Sequence, residues 1–401
     1  MNFGFLGSES QWRLIQPAFG PMATVRLVAA VIKPADNVET PPEILTRFPL
    51  PPTARRLQEF DELLSDQHIE AFILGGPVAD RPDRLRQIAQ TGRHCVCLYP
   101  LDASPLVYHE LAMLASDRAA ILVPWLPSRV HTGCRTLAEV VHGGSLGTVR
   151  SITIERFGPL VTGQLLVCGV YAEAVDLLSM LRTGVFEVSS TGDPDKGRLV
   201  VHHRLADDVT GEIRIQPSNT AADEWKVVVE GESDRAELVL HDGFAGPASI
   251  VRSERAGHRE EIAASEGVAD QILEEMTRAT LFLPHTLTWG VAIAAAELAD
   301  CARYSLERRR AVDVFQEERG ELASFKGRMT SIGCGLIWLT LFIVILIAAG
   351  TGLQLPGMKV VAVATAAVWV LFLLFQALRW TVPAQKGPDQ SSGSTSASAL
   401  R

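Results

Sequence analysis

Short apolar runs and helical spacings take turns along the first third of this chain. Residues 2–7 form an apolar run that stops at a glycine, which predicts a buried strand and a tight turn. Residues 25–32 repeat the pattern and are closed by Lys33-Pro34. Residues 53–64 place Leu57, Phe60, Leu63 and Leu64 on one side of a predicted helix. A third apolar strand over 69–74 ends at Gly75-Gly76-Pro77. The spacing then predicts a helix over 81–91 with Leu85 and Ile88 inward and Gly92 just past its end. Strands over 94–98 and 119–124, with a helix over 105–116 between them, complete the series. This alternation predicts a parallel sheet covered on both faces, spanning residues 1–124.

The period changes after Ser151. β-rich segments cover 151–156, 199–205, 211–216, 225–230 and 236–240. Turn chemistry separates them, as at Gly192-Asp193-Pro194-Asp195 and Pro217-Ser218-Asn219. Helices over 171–181, 267–282 and 286–308 are expected to pack on the resulting sheet. Residues 125–316 therefore read as an α+β domain whose sheet is largely antiparallel.

A third pattern follows a connector over 317–330. Residues 331–350 and 360–378 are apolar and carry no charge. Each has about the length that crosses a bilayer core, roughly 20 residues. A short Gly/Pro-containing turn joins them, so they read as a two-pass membrane hairpin with the lipid bilayer as partner. Arg308, Arg309, Arg310, Arg319, Lys326 and Arg328 precede it, Arg379 and Lys386 follow it, and the turn holds only Lys359. That bias places the N-terminal domains and the C-terminal tail in the cytoplasm, at the inner cytoplasmic membrane. The alternative is a pair of buried helices, which rarely run this long without a polar face. The tail over 383–401 is rich in Gly, Ser, Thr and Ala and is expected to be disordered.

Composition narrows the function. The 401 residues carry a net charge of −9, which argues against a nucleic-acid partner. No signal peptide is evident at the start. Six scattered cysteines show no metal-ligand spacing and read as reduced packing residues, so no metal is expected. His202-His203 lies on a strand, where the two rings point to opposite faces.

Several local motifs, in order, resemble the glucose–fructose oxidoreductase / inositol dehydrogenase (Gfo/Idh/MocA) family. Gly76-Pro77 stands in the place of the family's Thr-Pro, and Gly92-Arg93-His94-Cys95-Val96-Cys97 is similar to its Gly-Lys-His segment. Leu98-Tyr99-Pro100-Leu101 occupies the place of Glu-Lys-Pro-Leu. Gly144-Ser145-Leu146-Gly147-Thr148-Val149 resembles the hairpin that opens the second domain, and Gly169-Val170-Tyr171 resembles the family's Asp-x-Gly-x-His/Tyr motif. The resemblance covers residues 2–316. It implies a Rossmann-type domain followed by the α+β domain, an NAD or NADP cofactor, and hydride transfer with a sugar, cyclitol or related polyol. It also implies a homo-oligomer, or a partner oxidoreductase subunit. By position it carries Gly7, Ser8, Ser10, Lys33, Gly76, Pro77, Arg81 and Pro100 into a cofactor site, and Tyr99 and Tyr171 into catalysis.

The same positions depart from the family together. Its Gly-x-Gly-x-x-Gly lets backbone approach a pyrophosphate and lets the helix pack closely. Here the turn is Gly7-Ser8-Glu9-Ser10-Gln11-Trp12. Glu9 aims a like charge at the phosphates, at a cost on the order of a few kcal/mol per contact. Trp12 replaces the third glycine. Lys33 stands where an acid holds the ribose; an exposed lysine before Pro34 is the favoured reading, and a partner for a 2′-phosphate is the alternative. Tyr99 replaces the catalytic lysine, Leu98 its glutamate, and Val167 the aspartate. A tyrosine pair needs a cation such as Arg81 or Arg129 to work as a base at neutral pH. The readings are a degenerate, pseudoenzyme-type ligand-binding or scaffold module, an active NAD(P)-dependent oxidoreductase, and a non-catalytic subunit of one. The departures favour the first.

Overall fold

The computed structural model describes residues 1–19, 25–33, 50–219, 222–252, 258–262 and 267–314. The connector, the two apolar runs of the expected hairpin and the tail lie outside the described residues.

Six strands make the first sheet: β1 (Asn2–Ser8), β2 (Arg26–Lys33), β3 (Arg55–Arg56), β4 (Ala71–Leu74), β5 (His94–Leu98) and β6 (Leu122–Trp125). All pair in parallel, in the order β3-β2-β1-β4-β5-β6. β4 and β6 are buried at every position. That is why they read as unbroken apolar runs: both faces of a parallel sheet are covered. The chain reverses direction of growth between β1 and β4, which opens a crevice at their carboxyl ends. Helices α1 (Glu9–Ile15), α2 (Phe60–Ser65), α3 (Arg81–Gln90) and α4 (Pro105–Asp117) connect the strands. The helix expected over 53–64 is shorter than its periodicity suggested. Arg55–Arg56 instead extends the sheet, and Leu57 N–H donates to Ala30 O at 2.9 Å.

Among the described residues the second sheet has nine strands, in the order β14-β13-β12-β11-β7-β10-β9-β8-β15. They are β7 (Val149–Gly158), β8 (Val185–Asp193), β9 (Arg198–Leu205), β10 (Thr210–Pro217), β11 (Glu224–Gly231), β12 (Arg235–Leu240), β13 (Ala248–Arg252), β14 (His258–Ile262) and β15 (Val312–Asp313). It is mixed, because β7 and β10 pair in parallel. Period-two patterning fixes which side chains face inward, not strand direction, so this pair was not legible. Inward positions such as Ile152, Ile154, Leu199 and Val201 build the second core. The outer face carries cross-strand ion pairs, including Arg204–Glu187 at 3.2 Å and Lys226–Glu237 at 2.9 Å.

Helices α5 (Thr132–His142) and α6 (Ala172–Leu181) contribute to the second core. Helix α7 (Val268–Thr280), expected on the second sheet, packs on the first. Its Ala269, Ile272, Leu273 and Met276 join Phe3, Phe5 and Trp12 in one cluster. Helix α8 (Trp289–Arg308) serves both sheets: Ala292, Ile293 and Ala296 face the first, Ala295, Leu298 and Ala299 the second. Its run of alanines lets both cores approach one helix, and residues 1–316 form one compact unit. Among the described residues, one helical stretch, Gly163–Leu181, is long and apolar enough to cross a membrane; it is mostly buried as a core helix.

Candidate functional site

The first strand-to-helix turn lies at the carboxyl end of β1, where such sheets bind ligands. Ser8 caps α1: its hydroxyl accepts from Gln11 N–H at 3.4 Å, and the Gln11 side chain reaches back to Ser8 N–H at 2.9 Å. The same Gln11 Oε1 also accepts from Gly76 N–H, at 2.8 Å. One side-chain oxygen thus occupies two backbone donors at the ends of β1 and β4. A methyl group added at Gly7 would lie 2.8 Å from it, and one added at Gly75 would collide with it. These glycines make room for Gln11. Glu9 pairs with Arg13 at 2.5 Å, and the Ser10 hydroxyl sits 2.9 Å from that of Ser8. Trp12 is fully buried between Phe5 and Phe19, at ring-centroid distances of 5.3 and 6.1 Å. As arranged, the turn fits a pyrophosphate poorly: Gln11 occupies the Ser8 and Gly76 N–H donors, and a core indole stands where the third glycine would be.

Lys33 ends β2 opposite Ser8, beside the same crevice. Gly76, at φ +80°, and Pro77 lead from β4 toward α3. Arg81 is buried and acts as a backbone clamp. It donates to Gly76 O at 2.9 Å, to Leu98 O at 3.0 Å and to Pro100 O at 2.5 Å. It therefore shapes the loop around Tyr99-Pro100, whose peptide is cis.

Tyr99 packs against all three apolar clusters, at the junction of the two sheets' cores. Its hydroxyl is buried, with no hydrogen-bond partner among the described residues. Burial, with the neighbouring Tyr108 phenol, pushes its pKa well above the usual phenol value. The second motif does meet this loop: the α-face of Gly169 lies against Pro100, 3.4 Å from an added methyl group. Tyr171, however, turns the other way. It is fully buried, and its hydroxyl lies 2.8 Å from Nε2 of His203 on β9, with the two rings stacked. Burial raises the Tyr171 phenol and pushes His203 down to about 3. The expected tyrosine relay is not formed. Neither Arg81 nor Arg129 serves as its cation, since both are committed elsewhere.

Arg129 belongs to a cluster that the sequence did not signal. On the turn after β6 it grips Asp176 of α6 with three bonds of 2.7–3.0 Å, and Ser128 adds a fourth at 3.2 Å. One helical turn earlier stands Glu173. Burial pushes its carboxyl up to about 7, against the opposing pull of Arg156. Arg156 occupies an inward position of β7, 2.7 Å from Asp223 and above the Trp225 ring. Two arginines and three acids thus gather between α6, the end of β7 and the turn after β6. Apart from Glu173 and Asp176 on one helix, they are far apart in sequence, so no motif could have shown the cluster.

No family model and no curated protein matches this chain. Solved structures do match. A putative myo-inositol dehydrogenase from Sinorhizobium meliloti is 18% identical, covering 78% of this chain and 99% of that one, with a TM-score of 0.62. This chain has the Gfo/Idh/MocA dehydrogenase fold. A 3-ketoreductase from Actinomadura kijaniata, solved with TDP-benzene and NADP, agrees at 15% identity, over 76% of this chain and 98% of that one, with a TM-score of 0.65. A probable dehydrogenase from Thermotoga maritima agrees at 17%, over 78% and 99%, with a TM-score of 0.58. The Gfo/Idh/MocA fold thus extends over nearly the whole of those structures and 76–78% of this chain, whereas Gln11 fills the turn after β1 from within.

Proposed function

We propose that this chain is a Gfo/Idh/MocA-fold protein that has given up hydride transfer and works as a ligand-binding or scaffold module. Residues 331–350 and 360–378 tether it to the cytoplasmic face of the inner membrane. Its ligand is a polyol-type small molecule, a sugar or cyclitol. Its protein partner is a second copy or an oxidoreductase subunit.

One observation carries this reading. Gln11 Oε1 accepts from Ser8 N–H and Gly76 N–H together, at the strand-to-helix turn where Rossmann-type sheets seat a pyrophosphate. An ordinary dehydrogenase keeps such donors free for phosphate. A test is turnover: a panel of sugars and cyclitols with NAD or NADP should yield no reduced nicotinamide above a protein-free blank. Reduction that depends on Tyr99 or Tyr171 would overturn it.

A second reading, an active NAD(P)-dependent oxidoreductase, is favoured by the unpaired Tyr99 hydroxyl beside Pro100 and Gly169. It requires Gln11 to swing out, and Tyr99 to lose a proton that burial holds tightly. Cofactor titration of the unsubstituted chain separates the two: an active enzyme binds NAD or NADP with Gln11 present, whereas a module closed by Gln11 does not.

A further inference from the structure

The connection between α7 and α8 exposes Leu281, Phe282 and Leu283 in succession, at 63%, 93% and 48% of their surface. No other three consecutive large apolar side chains are exposed among the described residues. The backbone beneath them is fixed. Phe282 N–H donates to Ala279 O at 3.0 Å and Leu283 N–H to Arg278 O at 2.9 Å, the paired bonds that close a helix in a left-handed cap. Arg278 Nε ties down Pro284 O at 3.0 Å, and the Glu275 carboxylate accepts from Thr286 Oγ1 at 2.9 Å and from Leu287 N–H at 3.2 Å.

Phe282 takes the left-handed position of that cap, at φ +55°. Glycine is the usual residue there, because a Cβ is strained at positive φ. In the same motif the next residue normally packs back on the helix, yet Leu283 is half exposed. A strained aromatic that is nearly all in solvent contributes nothing to this fold. Its use must lie outside the chain's own core.

We infer that the Leu281-Phe282-Leu283 tip inserts into the interfacial zone of the bilayer to which the chain is tethered. The inference rests on the membrane placement proposed above. The tip is a convex, three-residue apolar projection, and a lipid interface receives such a shape without a matching groove. Exposed Arg278 sits at its base, suited to an anionic headgroup. The chain also carries two uncharged runs of bilayer length beyond its described residues. Docked in this way, the tip would fix the tilt of the domain on the membrane surface.

The test uses the full chain in vesicles of phosphatidylcholine and phosphatidylglycerol, with Phe282→Trp measured against the unsubstituted chain. The added emission should be blue-shifted, shielded from iodide, and quenched severalfold more by bromine placed high on the acyl chains than by bromine near their ends. Emission that iodide quenches and bromolipid does not would put the tip in water and overturn the inference. Blue-shifted emission untouched by both quenchers would put it against protein, a second copy or a partner, and also overturn it. Failure of the chain to float with vesicles would remove the membrane placement itself. Flotation without bromine quenching would remove only the tip contact.

Discussion

Replacing Arg129 with methionine should expose how much the two domains rely on one buried ion pair. The side chain of Asp176 is 1% exposed, and Arg129 supplies three of its four hydrogen bonds. Losing one partner of a buried pair costs about 3–5 kcal/mol, because the other charge stays behind. Arg129 is itself about one-fifth exposed, which places the expected cost near the lower figure, about 3 kcal/mol at pH 8. The cost should depend on pH. Burial already holds the Asp176 carboxyl above the usual carboxylate range. Without Arg129 it rises further, so the folded state keeps a proton that the unfolded chain releases. A raised carboxyl stabilises the fold at low pH and loses that contribution as pH rises through the folded value. Arg129→Met should therefore be least damaging near pH 5 and most damaging near pH 8. Adding Asp176→Asn, which removes the stranded charge, should recover part of the loss. Urea unfolding of residues 1–316, followed by circular dichroism at both pH values, measures all of this. A cost below about 1 kcal/mol at pH 8, or one independent of pH, would refute the reasoning.

Other perturbations test other parts of the structure. Tyr171→Phe strands the His203 ring and should cost about 2 kcal/mol of stability in urea melts, with little effect on ligand affinity; an effect confined to ligand binding would return Tyr171 to the site. Glu173 keeps its proton up to about 7 in the fold, against 4.5 unfolded, so stability should fall as pH rises from about 5 to 7, and Glu173→Gln should flatten that slope; an unchanged slope places the titrating group elsewhere. Phe282→Gly removes strain at φ +55° and should stabilise residues 1–316 by up to about 1 kcal/mol in thermal melts, despite the entropy of glycine; a clear loss would mean that Phe282 packs on the fold after all.

The parallel sheet was legible because its strands are short, apolar and buried on both faces, so β1, β2, β4 and β5 stand out from polar helices. The second sheet was legible strand by strand where alternation is strong, as in β9 to β12. It was not legible in its parallel β7–β10 pairing or in β8, β13 and β15, where burial is uneven. The departure of the turn from a glycine-rich pattern was legible through Glu9 and Trp12, though not the ion pair that Glu9 makes with Arg13. The residue that closes the turn, Gln11, went unnoticed, because its two partners are distant in chain or in kind: a backbone N–H at Ser8 and another at Gly76. Tyr171 fell in the expected motif, yet its hydroxyl is aimed by His203, thirty-two residues later. Arg129 and Asp176 likewise meet only through the fold. Position along a motif locates a side chain, but its direction comes from packing.

The central claim is that the chain's own glutamine fills the dinucleotide turn. Calorimetric titration of residues 1–316 with NADPH and NADH, for the unsubstituted unit and for Gln11→Ala, tests it most directly. The account predicts no heat of binding up to millimolar cofactor in the unsubstituted unit. Binding in the micromolar range by that unit would contradict it, showing that the turn opens to admit a pyrophosphate.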